Sequence, residues 1–314
     1  MAPMRIGHLS TAYHTAFVLM GAELLERKAR IEASWRLFPT GPEMIKAFQR
    51  EELDIGYIGL PPAMIGIEKG LKIKCIAGGH VEGTMMVSAR RFIDLNALND
   101  VKATLMQFKG KTIGTPAKGS IHDVIIRHLV EAAGLQDEIA VRNFQWADFI
   151  LEAMEEKLVD AGCGTPPLAV LASRFLDSKI ILPPHAMWAY SPSYGIVAAE
   201  HVIHDSPDTL DLFLRLHEDA CNLIRLKPLE AAKMGAHAIG LVKKDFLLDV
   251  FKVSPKYCAS VPKEFVESTL AFIPVLKKMG YISRPLKRVD IFDTKLVEST
   301  HKEKPHYDDP GKLI

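Results

Sequence analysis

The chain has 314 residues, of which 48% are hydrophobic and 25% are charged, and its 39 basic and 38 acidic residues leave a formal net charge of +1. This composition is typical of an ordinary globular protein and excludes a globally disordered chain. The balanced charge gives no field that would attract nucleic acid or a membrane surface, and no apolar run reaches the roughly 18 residues of a spanning helix.

Short apolar strands alternate with amphipathic helices from the N-terminus to about Tyr190, a pattern that predicts an α/β fold with mostly parallel sheets. Strands are predicted near 4–10, 33–38, 54–58, 72–79 and 83–89 in a first lobe, and near 111–115, 139–144, 159–163 and 179–182 in a second. Helices are predicted near 14–28, 42–50, 62–69, 121–133, 148–156 and 167–174, then at 206–226, 228–239, 243–252 and 263–280. The charged, proline-containing end, residues 301–314, is predicted to be an extended tail.

An internal repeat divides the chain into two similar halves. Residues 47–62 read AFQREELDIGYIGLPP and residues 153–167 read AMEEKLVDAGCGTPP, so Ala, Asp, two Gly and two Pro align with one gap. The same spacing places residues 5–8 over residues 112–115. Each copy predicts a helix, a short strand, a tight turn and a second helix whose first turn tolerates proline.

The repeat predicts two lobes, one of them discontinuous in the chain. Lobe 1 is assigned residues 1–90 and 191–314, whereas the second lobe takes residues 91–190, and the C-terminal helices complete lobe 1. Residues 194–198 are predicted to form a strand that returns to lobe 1, so the chain crosses twice between the lobes. Two such crossings predict a hinge that closes around a ligand.

The N-terminus and the cysteines bear on the cellular compartment. A strand begins at about Met4, with no signal peptide before it, so the two hypotheses are an extracytoplasmic protein whose signal was removed, which we favour, or a cytoplasmic protein whose native start is Met1 or Met4. The four cysteines show no CxxC spacing and are predicted to be isolated buried thiols, with no disulfide framework or metal site.

Candidate ligand-binding residues follow the predicted strand ends, because ligands of open α/β sheets bind there against helix N-termini. The candidates are Thr11, Tyr13, His14, Thr40, Gly41, Gly59, Leu60, His80, Lys118, Gly119, Ser120, His122, Trp146, Thr165, Trp188 and Tyr194. The junction from Lys118 to Asp123 is the strongest candidate for ligand contact, since it combines a glycine, a hydroxyl group and a positive charge. A cap in which Ser120 and Asp123 only begin a helix, without ligand, is the alternative.

Histidines gather near the predicted strand ends, at positions 8, 14, 80, 122 and 185. Imidazoles around one cleft are suited to metal binding, but no pair has HxH or HExxH spacing, so no metal is predicted. The sequence also has no GxSxG, no phosphate loop and no GxGxxG after a strand. No catalytic residue and no cofactor are predicted.

Several of these motifs together resemble the nitrate/sulfonate/taurine-type substrate-binding proteins of ABC importers. The resemblance covers roughly residues 4–200 and rests on the stretches 38–41, 54–63, 110–114, 118–120, 133–135, 160–161 and 165–167. It implies the two-lobed fold of type II periplasmic binding proteins and a cleft for one small anionic or heterocyclic ligand. Contacts are implied from the loop of residues 11–14, Thr40 and Gly41, Gly59 and Leu60, the region of His80, Ser120 and Thr165.

This resemblance predicts a monomeric transport receptor that works with an ABC permease, closes about a hinge and is not an enzyme. Two alternatives stay open. One is a cytoplasmic enzyme on the same fold, similar to the thiamin-pyrimidine synthases or to menaquinone-pathway enzymes, although the cysteine-rich motif of the pyrimidine synthases is absent. The other is a module that delivers a ligand to a partner protein.

Overall fold

Two five-stranded sheets form the framework of the protein, for which a computed structural model describes residues 3–313. The strands are β1 (Met4–Leu9), β2 (Ala33–Phe38), β3 (Ile55–Ile58), β4 (Ile73–Val81), β5 (Met85–Ala89), β6 (Thr112–Pro116), β7 (Ala140–Phe144), β8 (Ala161–Gly164), β9 (Ser178–Leu182) and β10 (Pro192–Ala199). The strand order is β2-β1-β3-β10-β4 in the first sheet and β7-β6-β8-β5-β9 in the second. The two orders are equivalent, because β7, β6, β8, β5 and β9 take the places of β2, β1, β3, β10 and β4. The predicted two-lobed α/β fold is confirmed.

Helices cover both sheets and make up most of the chain after β10. They are α1 (Ala16–Gly21), α2 (Gly41–Gln49), α3 (Leu60–Glu68), α4 (Leu95–Leu98), α5 (Val101–Met106), α6 (Ile121–Ala132), α7 (Phe149–Glu155), α8 (Pro166–Phe175), α9 (Pro184–Met187), α10 (Glu200–Asp205), α11 (Pro207–Leu226), α12 (Pro228–Ile239), α13 (Lys244–Val253), α14 (Lys263–Leu270), α15 (Phe272–Lys278), α16 (Arg288–Ile291) and α17 (Lys295–Thr300). The long helix predicted near 14–28 is instead α1 followed by a π-helical turn, Leu25–Ala29. None of the helices within residues 3–313 combines the length and apolar character that a bilayer crossing needs.

The repeated aspartate has the same structural role in both lobes. Asp54 accepts a hydrogen bond from the backbone N of Arg5 at 2.8 Å, and its own backbone N donates to the Arg5 carbonyl at 2.9 Å. Asp160 makes the matching pair with Thr112, at 3.0 and 2.8 Å. Each aspartate therefore fixes the start of one strand against its neighbour, which explains why the residue occurs in both copies of the repeat.

Two glycines let a helix pack directly on each sheet. Gly56 in β3 and Gly162 in β8 occupy equivalent positions, paired with the glycines of β1 and β6. A Cβ atom at Gly56 would lie 2.7 Å from the sulfur of Met44 in α2, and one at Gly162 would lie 2.9 Å from the sulfur of Met154 in α7. A side chain at either glycine would force the helix side chains that pack on it to move.

The first chain crossing lies earlier than predicted. The strand predicted near 83–89 was assigned to lobe 1, but β5 pairs antiparallel with β8 and β9 in the second sheet. Correspondingly, β10 pairs antiparallel with β3 and β4, as expected for a strand returning to lobe 1. The sheets are therefore joined by residues 82–84 and 183–191, and the boundary at residue 90 is wrong because β5 follows the first crossing and belongs to the second sheet.

The C-terminal segment, residues 301–313, packs on lobe 1, contrary to the predicted extended tail. Tyr307 is 1% exposed, and its hydroxyl donates to the carbonyl oxygens of Cys258 and Ser260 at 2.7 and 2.9 Å. Leu313 is also buried, and Arg225 donates to the carbonyl oxygen of Asp309 at 2.7 Å. Because the segment is mostly charged and polar, its sequence does not indicate that Tyr307 and Leu313 are buried.

Candidate functional site

A pocket lies between the two lobes at the carboxyl ends of their central strands. It has a volume of about 480 Å³, including its opening to solvent. The residues that line it are Leu9, Ser10, Thr11, Tyr13, Pro39, Thr40, Gly41, Gly59, Pro62, Pro116, Ser120, Ile121, His122, Ala147, Thr165 and Ser193. Its position agrees with the rule that open α/β sheets bind ligands beyond their strand ends.

Four helix N-termini, two from each lobe, meet at this pocket. The residues that precede α2, α3, α6 and α8 are Thr40, Gly59, Ser120 and Thr165, and all four line the pocket. Each of these helices has at least nine residues, so each contributes a partial positive charge at its start. Prolines in the first turns of α2, α3 and α8 remove some N–H donors, so the hydroxyl groups carry much of the hydrogen-bonding capacity.

The α6 junction is both a helix cap and part of the pocket wall. Ser120 Oγ accepts a hydrogen bond from the backbone N of Asp123 at 3.3 Å, which is the cap that the sequence left as an alternative. The Asp123 carboxylate accepts hydrogen bonds from Arg127, Gly119 and Tyr281 at 2.7–2.9 Å. The cap leaves the Ser120 hydroxyl proton available to a ligand, and the Asp123 charge is satisfied outside the pocket.

The pocket wall carries no ionised side chain. Among the described residues that line it there is no lysine, arginine, aspartate or glutamate. Its single imidazole is His122, and burial lowers the pKa of His122 to about 4, so the ring is neutral near pH 7. A 2.8 Å hydrogen bond between His122 Nδ1 and Thr84 Oγ1 links this wall to the first chain crossing.

Four predicted site residues lie behind the pocket wall, in the core. His14, His80 and Tyr194 pack around Tyr13, with ring centroids 4.8, 4.9 and 5.9 Å from it, while Leu60 is fully buried. His14 Nε2 is hydrogen-bonded to Thr11 Oγ1 at 2.8 Å. Burial lowers the pKa of His80 to about 3 and lowers the pKa of His14 strongly, so these histidines are neutral supports for Tyr13 and Thr11.

Four further predicted residues lie away from the pocket. Lys118 is exposed, and Gly119 has φ +82° beside Tyr281 rather than at the wall. Trp146 is half-buried next to the lining residue Ala147. Trp188 stacks on Phe272 at a centroid distance of 4.0 Å, so it belongs to the packing of α15.

Of the five histidines near predicted strand ends, His122 alone lines the pocket. His8 packs edge-on against Phe17, and His185 is exposed. With one imidazole and no carboxylate or thiol among the described lining residues, the pocket has no metal-ligand set.

Two serines that sequence reasoning did not single out also line the pocket. Ser10 directly follows β1, and its place at a strand end was the available signal. Ser193 lies in β10, and its Oγ accepts a hydrogen bond from Gly83 N at 2.5 Å. Nothing in the local sequence marks Ser193, because its position depends on the antiparallel pairing of β10 with β4.

A smaller recess of about 310 Å³ adjoins the pocket. It shares Ser10, Thr11 and Thr165 with the pocket and adds the carboxyl group of Asp148. The recess therefore differs from the main pocket in carrying an acidic group on its lobe 2 side.

The two lobes contact each other around the pocket. Tyr281 donates to Asp123 at 2.9 Å, and Lys278 lies 3.1 Å from the Glu131 carboxylate. On another side Arg174 in α8 pairs with Asp249 in α13. The molecule is thus in a closed arrangement, with both walls of the pocket in place.

Residues 1–240 match the model of the NMT1-like family, which is three quarters of the chain. Proteins of Brucella abortus and Brucella suis, named only as proposed binding proteins, are 22% identical to this chain over 222 residues. The match covers 69% of this chain and 66% of each relative, so the chain spans slightly less than two thirds of their length.

Solved structures with the same fold cover almost the whole chain. The ligand-binding component of an ABC-type import system from Staphylococcus aureus, solved with zinc bound, has a TM-score of 0.78 at 14% identity and covers 96% of this chain and 100% of its own. The aliphatic sulphonate binding protein of Escherichia coli has a TM-score of 0.77 at 16% identity, covering 93% and 92%. The nitrate-binding protein of Synechocystis PCC 6803 has a TM-score of 0.76 at 9% identity, covering 99% and 92%.

Proposed function

The chain belongs to the NMT1-like family, and from that premise we propose that it is the substrate-binding component of an ABC-type importer. It binds one small anionic or heterocyclic molecule between its lobes and releases it to a membrane permease. The observation that carries this proposal is the convergence of four helix N-termini, two from each lobe, on one pocket between the lobes. A ligand that touches both lobes stabilises their closed arrangement.

The pocket chemistry narrows the ligand. Hydroxyl groups of Ser10, Thr11, Thr40, Ser120 and Thr165 offer hydrogen bonds, while the helix N-termini favour negative charge. Because no described lining residue is a lysine or arginine, a doubly charged anion would have no full counter-charge. The ligand is therefore a singly charged anion or a neutral heterocycle.

The lining of the pocket and the neighbouring recess favour a heterocycle with a small polar substituent. The ring of Tyr13 and the side chains of Leu9, Pro39, Pro62 and Ile121 contribute apolar surface to the wall. Asp148 in the adjoining recess would accept a hydrogen bond from an amino group and would repel an anionic one. An aminopyrimidine has an aromatic ring for the apolar wall and an amino group for Asp148, so it suits the pocket and the recess better than a plain sulfonate does.

Transport fits this pocket better than catalysis. A pyridoxal phosphate enzyme needs a lysine amine at its site, and no lysine lies among the described lining residues. Burial lowers the pKa of His122 to about 4 and raises the pKa of Tyr13, which makes His122 a weak base and Tyr13 a weak acid near pH 7. We place the protein outside the cytoplasm, as a monomer facing an ABC permease, in keeping with the periplasmic sulphonate- and nitrate-binding neighbours.

Ligand screening tests the proposal. Thermal-shift measurements with nitrate, short-chain sulfonates, monocarboxylates and aminopyrimidines should show stabilisation by one class. Calorimetry should then give a 1:1 complex of micromolar or tighter affinity. A variant with Thr165→Val should lose that stabilisation, whereas Thr104→Val, a buried threonine outside the pocket, should retain it. If no class stabilises the protein and its absorbance shows a bound chromophore, the enzymatic alternative replaces the transport proposal.

A further inference from the structure

A second group of chemically reactive side chains lies outside the pocket, where the C-terminal segment meets lobe 1. It consists of Glu218, Cys258, His301 and His306, which we call the C-terminal cluster. One ligand atom from each of the four residues lies within 4.8 Å of the others. Cys258 is fully buried, and the side chains of His301, Glu218 and His306 are 3%, 14% and 15% exposed.

The four residues come from distant parts of the chain. Glu218 lies in α11 and Cys258 in the segment after α13, while His301 directly follows α17 and His306 belongs to the C-terminal segment. The other three cysteines are buried and free of such partners among the described residues, as predicted for isolated thiols. Cys258 is the exception, and no sequence spacing reveals it because its partners lie in segments far from it along the chain.

Three separations within the cluster are close to those around a tetrahedral metal ion, and the remaining pairs lie within 4.8 Å. Cys258 Sγ lies 3.3 Å from His301 Nε2, and Glu218 Oε1 lies 3.2 Å from His306 Nδ1 and 3.7 Å from His301 Nε2. Zinc bonds of about 2.3 Å to sulfur and about 2.0–2.1 Å to nitrogen or oxygen place neighbouring ligand atoms roughly 3.3–3.6 Å apart. Only small side-chain movements are needed to surround an ion.

We propose that the C-terminal cluster binds Zn²⁺ and that this ion fastens the C-terminal segment to lobe 1. One thiolate, two imidazoles and one carboxylate form a ligand set that suits zinc better than the hard cations Ca²⁺ and Mg²⁺. Because the protein supplies all four ligands, the site is structural and keeps no open position for catalysis.

The surroundings of the cluster hold its ligands in place. The backbone N of His306 donates to Cys258 Sγ at 3.3 Å, and the backbone N of Ala259 donates to Glu218 Oε2 at 2.7 Å. On the outer side, His306 Nε2 lies 3.3 Å from Glu303 Oε2. A carboxylate on the far nitrogen fixes the tautomer that leaves the near nitrogen free to bind metal.

The charge of the cluster also favours a cation. A divalent ion bound by all four residues would neutralise the Cys258 thiolate and the Glu218 carboxylate together. Such neutralisation matters in a site that is mostly removed from water.

Metal analysis of the full-length protein tests the proposal. Protein purified without chelator should contain one equivalent of zinc, and Co²⁺ substitution should give a thiolate-to-cobalt charge-transfer absorption band. Cys258→Ser should lose this band and weaken zinc binding at least tenfold, while Cys75→Ser, a buried thiol outside the cluster, should keep both. Because Cys258→Ser alters a fully buried side chain, His306→Gln, at the partly exposed side, provides a second variant with the same expected loss of zinc affinity.

Hydrogen exchange of the zinc-free protein gives an independent measurement. Removing zinc should increase exchange in residues 301–313 and leave the pocket strands unchanged. Substoichiometric zinc in the wild type that added Zn²⁺ does not raise, or a cobalt band that persists in Cys258→Ser, would overturn the proposal. The cluster does not line the pocket, so neither result bears on the transport proposal, which the ligand screen tests separately.

Discussion

Glu82 and Tyr190, one from each chain crossing, are joined by a 2.9 Å hydrogen bond from the Tyr190 backbone N to Glu82 Oε1. The Glu82 backbone N in turn donates to the carbonyl oxygen of Ser191 at 2.8 Å. Both residues have left-handed backbone conformations, with φ of +58° and +56°. The two crossing segments therefore turn at the same level and are hydrogen-bonded to each other there, so we expect them to move as a pair when the lobes open.

Removing the Glu82 side chain should loosen the hinge. Glu82→Ala leaves the Tyr190 N–H without its acceptor and removes one of the two carboxylates paired with Lys256, and we expect the free energy of unfolding to fall by about 1–2 kcal/mol. Chemical denaturation measures this change, and X-ray scattering of the ligand-free protein should show a larger radius of gyration. Asp308→Ala is the matched control, because Asp308 also pairs with Lys256 at 3.2 Å but does not touch the hinge. Equal effects of the two variants would contradict a special role for Glu82.

A methyl group at Gly59 should hold the lobes apart. The Cβ of Gly59→Ala would lie 3.1 Å from the side chain of Ile121 on the opposite lobe and 3.2 Å from the Ser193 carbonyl oxygen. Crowding of about 1–2 kcal/mol in the closed form predicts roughly 5- to 30-fold weaker ligand binding. Calorimetry with the ligand found by screening measures the effect. Gly66→Ala crowds Ile45 within lobe 1 at 3.0 Å, so binding by that variant should stay near the wild-type value.

Thr40→Val should separate binding from stability. Thr40 Oγ1 is buried and has no hydrogen-bond partner among the described residues, so its removal should leave the free energy of unfolding unchanged or slightly higher. If the hydroxyl binds ligand, affinity should fall by about 1 kcal/mol, or roughly fivefold. Thr115→Val removes a similar buried hydroxyl outside the pocket and should not alter affinity. Unchanged affinity in Thr40→Val would remove this residue from the ligand contacts.

Stability should fall as the solution becomes acidic. Burial lowers the pKa of His80 to about 3 and the pKa values of His122 and His217 to about 4. In the unfolded chain these rings take up a proton near pH 6.5, so between about pH 6.5 and 4 the unfolded state binds more protons and is favoured as pH drops. Each ring can contribute up to about 1.4 kcal/mol per pH unit in that window.

Denaturation between pH 5 and 6.5 measures this slope before most carboxylates titrate. His217→Gln should reduce the slope, because it removes one buried ring, whereas the exposed His237→Gln should leave it unchanged. A slope that is identical in wild type and His217→Gln would mean that His217 is not held neutral in the folded state.

The repeat in the sequence was sufficient to predict the two lobes, because it involves backbone constraints that both lobes need. Asp54 and Asp160 fix strand starts, and Gly56 and Gly162 admit a helix, so each is visible as a matched residue type. The same regularity identified Thr40, Gly59, Ser120 and Thr165 as helix starts facing one gap. Their ligand contacts stay a prediction until binding is measured.

Features that depend on pairing between distant segments could not be predicted from the sequence. The strand near 83–89 looks like any other apolar strand, and only its antiparallel ladder with β8 and β9 assigns it to lobe 2. Trp188 lies in the second chain crossing, where a pocket residue is expected, yet it stacks on Phe272, which belongs to α15. The C-terminal segment has a polar composition, and its few anchors, such as Tyr307, carry its packing.

The two sheets become complete at different times during synthesis, because their strands are distributed differently along the chain. All five strands of the second sheet lie between Met85 and Leu182, so that sheet can be completed as soon as this stretch has left the ribosome. The first sheet cannot be completed before β10 has been synthesised. The helices and the C-terminal segment that cover this sheet extend to Leu313, so they are completed later still. We therefore expect lobe 2 to fold first, so that it is already folded when lobe 1 receives its last strand and its C-terminal helices.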